Sequence, residues 1–433
     1  MNLLTKPEIF RNRIQKVQNL LKEEELLLLF GNTHAIRNRD VEYKFRQDSD
    51  FYYLTGLEEE DSILYLKKND SGIFALPKDK EKEIWTGIRH GKEKIAKLLN
   101  LKNAYLNTEF DSQIGEIFKN TEVLYYFLGK NSQNDSRVIP LLHRLQEQSR
   151  LNHFYPTTIK RPSFLHALRA TKQPEEVGAL MESAKITAAG HLEIMRASKP
   201  EMYEYELEAI LEHEYKKFGS WGGGYGHIVA TGKNACILHY TSNSEQLKNG
   251  ELVLVDSGAE KYYYTADVTR CFPVGKKFTD SQKIIYEIVL AAQKNAIALC
   301  KSGVVYSDIH DKTVDFFISV LKDLRLLKGT EEKIKETGEY KKFYMHKTGH
   351  FLGMDVHDVG KYFEKNESVK LQAGNVITIE PGLYFDPEDE TIPKEFRGIG
   401  IRIEDDVLIE KNSAKVLTSM IPKEISEIEA LKG

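Results

Sequence analysis

The chain of 433 residues is 41% hydrophobic and 29% charged, a soluble globular composition with room for two domains. A formal net charge of -4 gives no reason to expect nucleic acid or an anionic membrane as a partner. Three cysteines, Cys236, Cys271 and Cys300, are odd in number and widely spaced. They suggest neither a disulfide framework nor a thiolate zinc site and point to a cytoplasmic location.

The first 25 residues are amphipathic and densely charged, without the apolar core of a secretory leader. Ile9, Phe10, Ile14, Val17, Leu20 and Leu21 recur at helical spacing from Pro7 to about Glu25, and Leu26 to Phe30 begins a strand too short to span a bilayer. Further strands are predicted at Phe51 to Leu54, Ser62 to Leu66, Gly72 to Leu76 and Val123 to Phe127, with amphipathic segments between them. That alternation predicts an N-terminal α/β domain over residues 1–165. Within it, FRQDSDFYYLTG (Phe45 to Gly56) and EIWTGIRHG (Glu83 to Gly91) place aromatics beside Arg, Gln and Asp, which read alone as an aromatic core edge with solvated charges.

A second domain is predicted over residues 170–433. Pro174 followed by Glu175 and Glu176 starts a helix to about Ser198, and Met202 to Phe218 forms another. Trp221 to Gly226 is a glycine-rich connector into a strand from His227 to Ala230; it lacks the Gly pattern, Lys and strand-to-helix context of a phosphate loop. After the next strands the order restarts. Thr279 and Asp280 cap a helix from Ser281 to Cys300, Ser307 caps another to about Leu324, and strand-like runs follow at Val376 to Glu380 and Gly400 to Ile409. Two helices and then paired strands, twice over, suggest two similar αα-ββ halves in one domain, although identity between them is too weak to call a repeat.

The stretch of greatest chemical interest is LVLVDSGAEKYYYTADVTR, Leu252 to Arg270. Asp256 ends a continuous apolar run, and Tyr262 to Thr265 leads to Asp267. If the two runs pair as a hairpin, two half-buried carboxylates lie close together and require a proton or cation between them. By itself, an Asp after an apolar strand is more often just a turn or N-cap residue. The second half supplies Glu380 in VITIEPGLY and Glu404 in GIRIEDDVLI; Arg402 and Glu404 share one strand face while Ile401 and Ile403 take the core face. Between them, MHKTGHFLGMDVHDVG holds His346, His350 and His357 in a chain with 13 histidines. His346 and His350 have the spacing of a helical zinc pair, but no Glu follows His346 and Gly349 interrupts, so a pair of satisfied core histidines remains open. Four strand-borne carboxylates and one histidine suit a pair of divalent cations, and without them each uncompensated buried charge would cost several kcal/mol.

Asp256, Asp267, His350, Glu380 and Glu404, with ILHY, GHFLGMDVHDVG, EPGLY and GIRIED, resemble the "pita-bread" metallopeptidases. FRQDSDFYYLTG and EIWTGIRHG resemble the aminopeptidase P branch, the Xaa-Pro aminopeptidases. The resemblance covers nearly the whole chain; the Gly222 to Gly224 run departs from it and leaves the substrate entrance open. It implies an α/β (α+β) architecture with a C-terminal pita-bread domain. It also implies a dinuclear site in which Asp256 holds one ion, His350 and Glu380 the other, and Asp267 and Glu404 bridge them. A metal-bridging hydroxide would attack the scissile carbonyl, with Glu380 shuttling its proton. His239, His346 and His357 would bind substrate and stabilise the oxyanion, Tyr384 and Arg402 would orient ligands, and Trp85 joins the substrate contacts. Oxygen-rich ligation suits manganese, with zinc, cobalt or iron as substitutes. The implied substrates are peptides with N-terminal Xaa-Pro, and the implied assembly is a dimer or tetramer. A prolidase restricted to dipeptides and a metal-free pita-bread binding module are the competing readings.

Overall fold

The computed structural model describes residues 5–147 and 153–433. The chain forms two compact units, Met1–His166 and Ala167–Gly433.

The first unit is built on a six-stranded mixed sheet. Its spatial order is Asn103–Leu106, Ser71–Ala75, Ile63–Lys67, Glu25–Phe30, Val123–Tyr125 and Thr158–Lys160. Glu25–Phe30 and Ser71–Ala75 each run antiparallel to Ile63–Lys67, and the remaining pairs are parallel. Leu26, Leu28, Tyr65, Phe74 and Phe110 are buried in its core. Burying each such side chain contributes about 1.5–3 kcal/mol. The segment expected as a strand at Phe51 to Leu54 is instead a helix, Ser49–Thr55. Asp48 caps it by accepting from the Phe51 N–H at 3.0 Å, and Gly56 closes it in the left-handed conformation. With every residue of that helix buried, the aromatic run mimics a buried strand.

The second unit follows the doubled order. Helices Pro174–Ala197 and Glu204–Lys217 precede an antiparallel sheet of Ile228–Thr231, Leu252–Asp256 and Thr269–Pro273. Helices Asp280–Leu299 and Tyr306–Asp323 precede a second sheet of Val376–Ile379, Asp405–Ile409 and Ala414–Val416. Thr279 caps Asp280–Leu299 as expected, accepting from the Gln282 N–H at 3.3 Å. Ser307 does not cap the next helix but lies inside it, its N–H donating to the Ser368 hydroxyl at 3.0 Å.

Two strand readings are corrected. Leu252–Asp256 pairs with Thr269–Pro273, not with the tyrosine run. That run makes its own tight hairpin, Ala259–Lys261 with Tyr264–Thr265, whose turn residues Tyr262 and Tyr263 both have positive φ. Gly400 to Ile409 is not one strand but two. Gly400–Arg402 pairs with Gly382–Tyr384, and Asp405–Ile409 with Val376–Ile379. The change of partner falls at Ile403 and Glu404, whose N–H groups leave both ladders for the carbonyls of Pro381 and Thr269. The Glu404 to Thr269 bond, 3.1 Å long, ties the two halves together.

Candidate metal centre and active site

The strand ends converge on a cavity of about 870 Å³ lined by Asp256, Asp267, His350, Glu380 and Glu404, among other residues. Among the described residues, Asp267, His350 and Glu404 offer donor atoms that all lie within 4.8 Å of one another. The His350 Nε2 is 3.3 Å from Asp267 Oδ2 and 3.6 Å from Glu380 Oε1. Its Nδ1 is 3.0 Å from the Phe351 carbonyl, which can only accept, so Nδ1 carries the proton and Nε2 faces the carboxylates. Glu380 follows Val376–Ile379 directly, and its N–H is anchored to the Thr348 carbonyl at 2.8 Å.

Asp256 and Asp267 meet through a residue the sequence reading missed. The Tyr225 hydroxyl lies 2.7 Å from Asp256 Oδ1 and 2.5 Å from Asp267 Oδ1. Burial and then the charges of Asp256 and Asp267 keep this phenol protonated. One phenol proton cannot satisfy two carboxylates, and the remaining charge is met in part by Arg402, 2.7 Å from Asp256 Oδ2, and by His350 beside Asp267. The glycines before Tyr225 explain its placement. Gly222–Gly223 pairs with Ala259 and Glu260 of the hairpin, and Gly224 donates to the Gly258 carbonyl at 2.9 Å. A side chain at Gly224 would begin 2.1 Å from the Thr265 hydroxyl. The run therefore packs Tyr225 onto the hairpin; the only sequence signal is an aromatic set among glycines just before a strand.

The electrostatics test whether these residues fit a metal. Burial raises Glu380 to about 7, against the opposing charges of His350 and Arg402. Burial and then Asp267, Glu380 and Asp256 hold Glu404 well above the usual carboxylate range. Asp267 is raised by burial and by Asp256. Burial alone would lower His350, but its hydrogen bond to Asp267 and the charges of Asp267 and Glu380 lift it to about 9. Burial thus pushes these carboxylates toward binding protons, positive charge that divalent ions would supply instead. An oxygen-rich cluster that must protonate itself to be buried fits divalent ions.

Arg402 is 4% exposed and binds the cluster from one side. It donates to Asp256 Oδ2 at 2.7 Å, to the Tyr384 hydroxyl at 3.0 Å and to Thr269 Oγ1 at 2.9 Å, and Thr269 donates to Glu404 Oε2 at 2.7 Å. Tyr384 lies 3.0 Å from His346 Nε2. Burial, followed by the Arg402 charge, lowers His346 to about 3, so it stays neutral. His239 and His357 line the same cavity with exposed side chains. The His357 ring meets His350 edge-on at a centroid distance of 4.5 Å. Trp85 is carried by the first unit on the Lys80–Thr86 helix and is 88% exposed.

The profile of Metallopeptidase family M24 matches residues 178–411, which span this entire site. The chain belongs to metallopeptidase family M24. The profile of the Aminopeptidase P, N-terminal domain, matches residues 10–125. The chain is 40% identical to the Xaa-Pro aminopeptidase of Haemophilus influenzae, covering 98% of this chain and 97% of that one. It is 37% identical to the Xaa-Pro aminopeptidase of Escherichia coli, covering 98% of each. Among solved structures, Pseudomonas aeruginosa aminopeptidase PepP superposes with a TM-score of 0.95 at 36% identity, covering 98% of each chain. Zn substituted E. coli aminopeptidase P in complex with product gives 0.94 at the same identity and coverage. The second unit is therefore the pita-bread domain of an M24 metallopeptidase.

Proposed function

We propose that this chain is a metal-dependent Xaa-Pro aminopeptidase that removes the first residue from peptides with proline in second position. The observation that carries the reading is the convergence of Asp256, Asp267, His350, Glu380 and Glu404 on one cavity. These five would hold two divalent ions, manganese by their hard donor set with zinc, cobalt or iron as substitutes. When bound, the ions supply Lewis-acid stabilisation of an oxyanion and a water acidified toward neutral pH.

The chain's own groups supply the rest. Glu380 would take a proton from the attacking water and return it to the departing prolyl nitrogen. His239 and His357, exposed in the cavity wall, are placed to meet the peptide carbonyl and the prolyl ring. His346, Tyr384 and Arg402 form a line of hydrogen bonds that holds Asp256 in place. Xaa-Pro is a tertiary amide without an N–H, so pairing of an extended backbone gives poor recognition and a pocket that grips the ring is favoured.

Ile84, Trp85 and Ile88 are 82–88% exposed. Such a patch suits an assembly interface, and a dimer or tetramer is part of the proposal, as is a substrate contact by Trp85. The free thiols of Cys236, Cys271 and Cys300 suit a reducing compartment, supporting cytoplasmic action. Among the described residues no helix is long and apolar enough to cross a membrane. The test is hydrolysis of an Xaa-Pro-Yaa panel by chelated protein with and without added manganese. Cleavage of Gly-Pro-Ala restored by manganese is expected. Activity on Gly-Pro alone would favour a prolidase, and metal-independent cleavage would overturn the mechanism.

A further inference from the structure

A buried ionic cluster lies beside the cavity, outside the metal set. Arg169 is 2% exposed, and Lys172 and Asp358 are each 5% exposed. Asp358 accepts from Arg169 Nη2 at 2.6 Å through Oδ1 and from Lys172 Nζ at 2.9 Å through Oδ2. Arg169 also donates to Asp355 at 2.7 Å. Two buried cations thus meet the buried carboxylate of Asp358 and the half-exposed one of Asp355, and the buried part is costly to assemble and more costly to break on one side.

The cluster grips one particular segment. Asp358 follows His357 in sequence, and its N–H returns to the Phe351 carbonyl at 2.9 Å, closing the loop from Phe351 to Asp358. The Leu352 N–H binds the Val376 carbonyl at 3.0 Å, and the Gly353 carbonyl accepts from Thr265, two residues before Asp267. On the other side, the Lys172 N–H binds the Gly374 carbonyl at 2.8 Å and Asn375 binds the Ala170 carbonyl at 2.9 Å, just before the strand Val376–Ile379 that leads into Glu380. The loop leaves room for the cluster only because residue 353 is glycine. A methyl there would sit 2.0 Å from Asp358 Oδ2 and 2.9 Å from Lys172 Cε. The carboxyl of Asp358 is lowered: burial would raise it, but Lys172 and Arg169 outweigh that.

We infer that Arg169, Lys172 and Asp358 form a positioning latch that fixes the Phe351 to Asp358 loop and so aims His357 into the cavity. The inference rests on the proposed function, because it assigns the latch to substrate handling by His357. None of its three members lines the cavity. They act through the backbone of the loop, and charge rather than shape is what Lys172 contributes.

The test is a double-mutant cycle on the full-length, manganese-loaded protein with Gly-Pro-Ala as substrate. Lys172→Met is expected to keep wild-type manganese content while kcat/KM falls roughly tenfold to a hundredfold. Lys172→Arg, which keeps the charge, should restore most of that loss. In a His357→Ala background, Lys172→Met should cost nothing further, because its effect passes through the absent imidazole. Wild-type kcat/KM in Lys172→Met, or losses that multiply in the double variant, would overturn the latch. If Lys172→Met does not fold, Asp355→Asn at the half-exposed end of the cluster goes through the same cycle and is read the same way. A crystal structure of the folded variant supplies a readout that needs no turnover: a displaced loop supports the latch, and an unchanged loop overturns it. A wild-type protein inert on the tripeptide would count against the functional reading, leaving this structural readout to decide the latch.

Discussion

Tyr225 shows how one uncharged side chain can govern a charged site. Its hydroxyl is shared between Asp256 and Asp267, so removing the oxygen takes one anchor from each carboxylate and leaves Asp256 to Arg402 and Asp267 to His350. Tyr225→Phe should weaken manganese binding by about 10–100-fold with little change in fold, measurable by metal titration followed through activity. A second residue-scale expectation concerns acid. Glu212 is lowered to about 2, chiefly by its hydrogen bond to His227 and against the effect of burial. Its contribution to stability is present above the unfolded carboxylate value near 4.5 and is lost as pH falls through that value toward 2. In Glu212→Gln, this part of the decline in Tm between those limits should disappear; an unchanged acid limb would contradict it. The four candidate carboxylates were legible in the sequence because they interrupt or end strand-like runs, where such residues are out of place, whereas His350 was set apart from His346 and His357 only by the family resemblance. Tyr225 was not legible, since a tyrosine after glycines carries no such mark.

At the scale of elements, sequence patterns located the long helices of the second unit and the strands Leu252–Asp256 and Val376–Ile379 that lead into the site, and failed where local burial or partner changes overrode periodicity. The Ser49–Thr55 helix is buried on all sides, which removes the polar face that would have identified it. The run from Gly400 to Ile409 looks continuous because Ile401, Ile403, Val407 and Ile409 are all buried. The break at Glu404 is set by hydrogen bonds to Pro381 and Thr269, distant in sequence. The tyrosine hairpin was misread because positive φ at Tyr262 and Tyr263 is a tertiary outcome that bulky residues do not advertise. The glycine connector offers a prediction here. In Gly224→Ala the added methyl would start 2.1 Å from the Thr265 hydroxyl, which should cost about 1–3 kcal/mol. Since Tyr225 is the next residue, the variant should lose metal affinity together with stability. Chemical denaturation paired with metal titration checks both, and a variant that loses neither would show the connector to be a passive loop.

For the molecule as a whole, the two halves of the second unit are joined where the chemistry is proposed. Asp256 and Asp267 come from one half, His350, Glu380 and Glu404 from the other, and Arg402 reaches across from the second half to Asp256. Cations that neutralise the cluster should therefore stabilise the whole unit. At a free manganese concentration of about 100 times Kd the gain is about 2.7 kcal/mol. In a domain of this size, this should raise the Tm of chelated protein by several degrees, readable by calorimetry. The most direct test of the central claim is an anomalous-scattering map from crystals soaked in manganese. Two peaks enclosed by the side chains of Asp256, Asp267, His350, Glu380 and Glu404 are what the account predicts, and a map with no manganese among those five residues would contradict it.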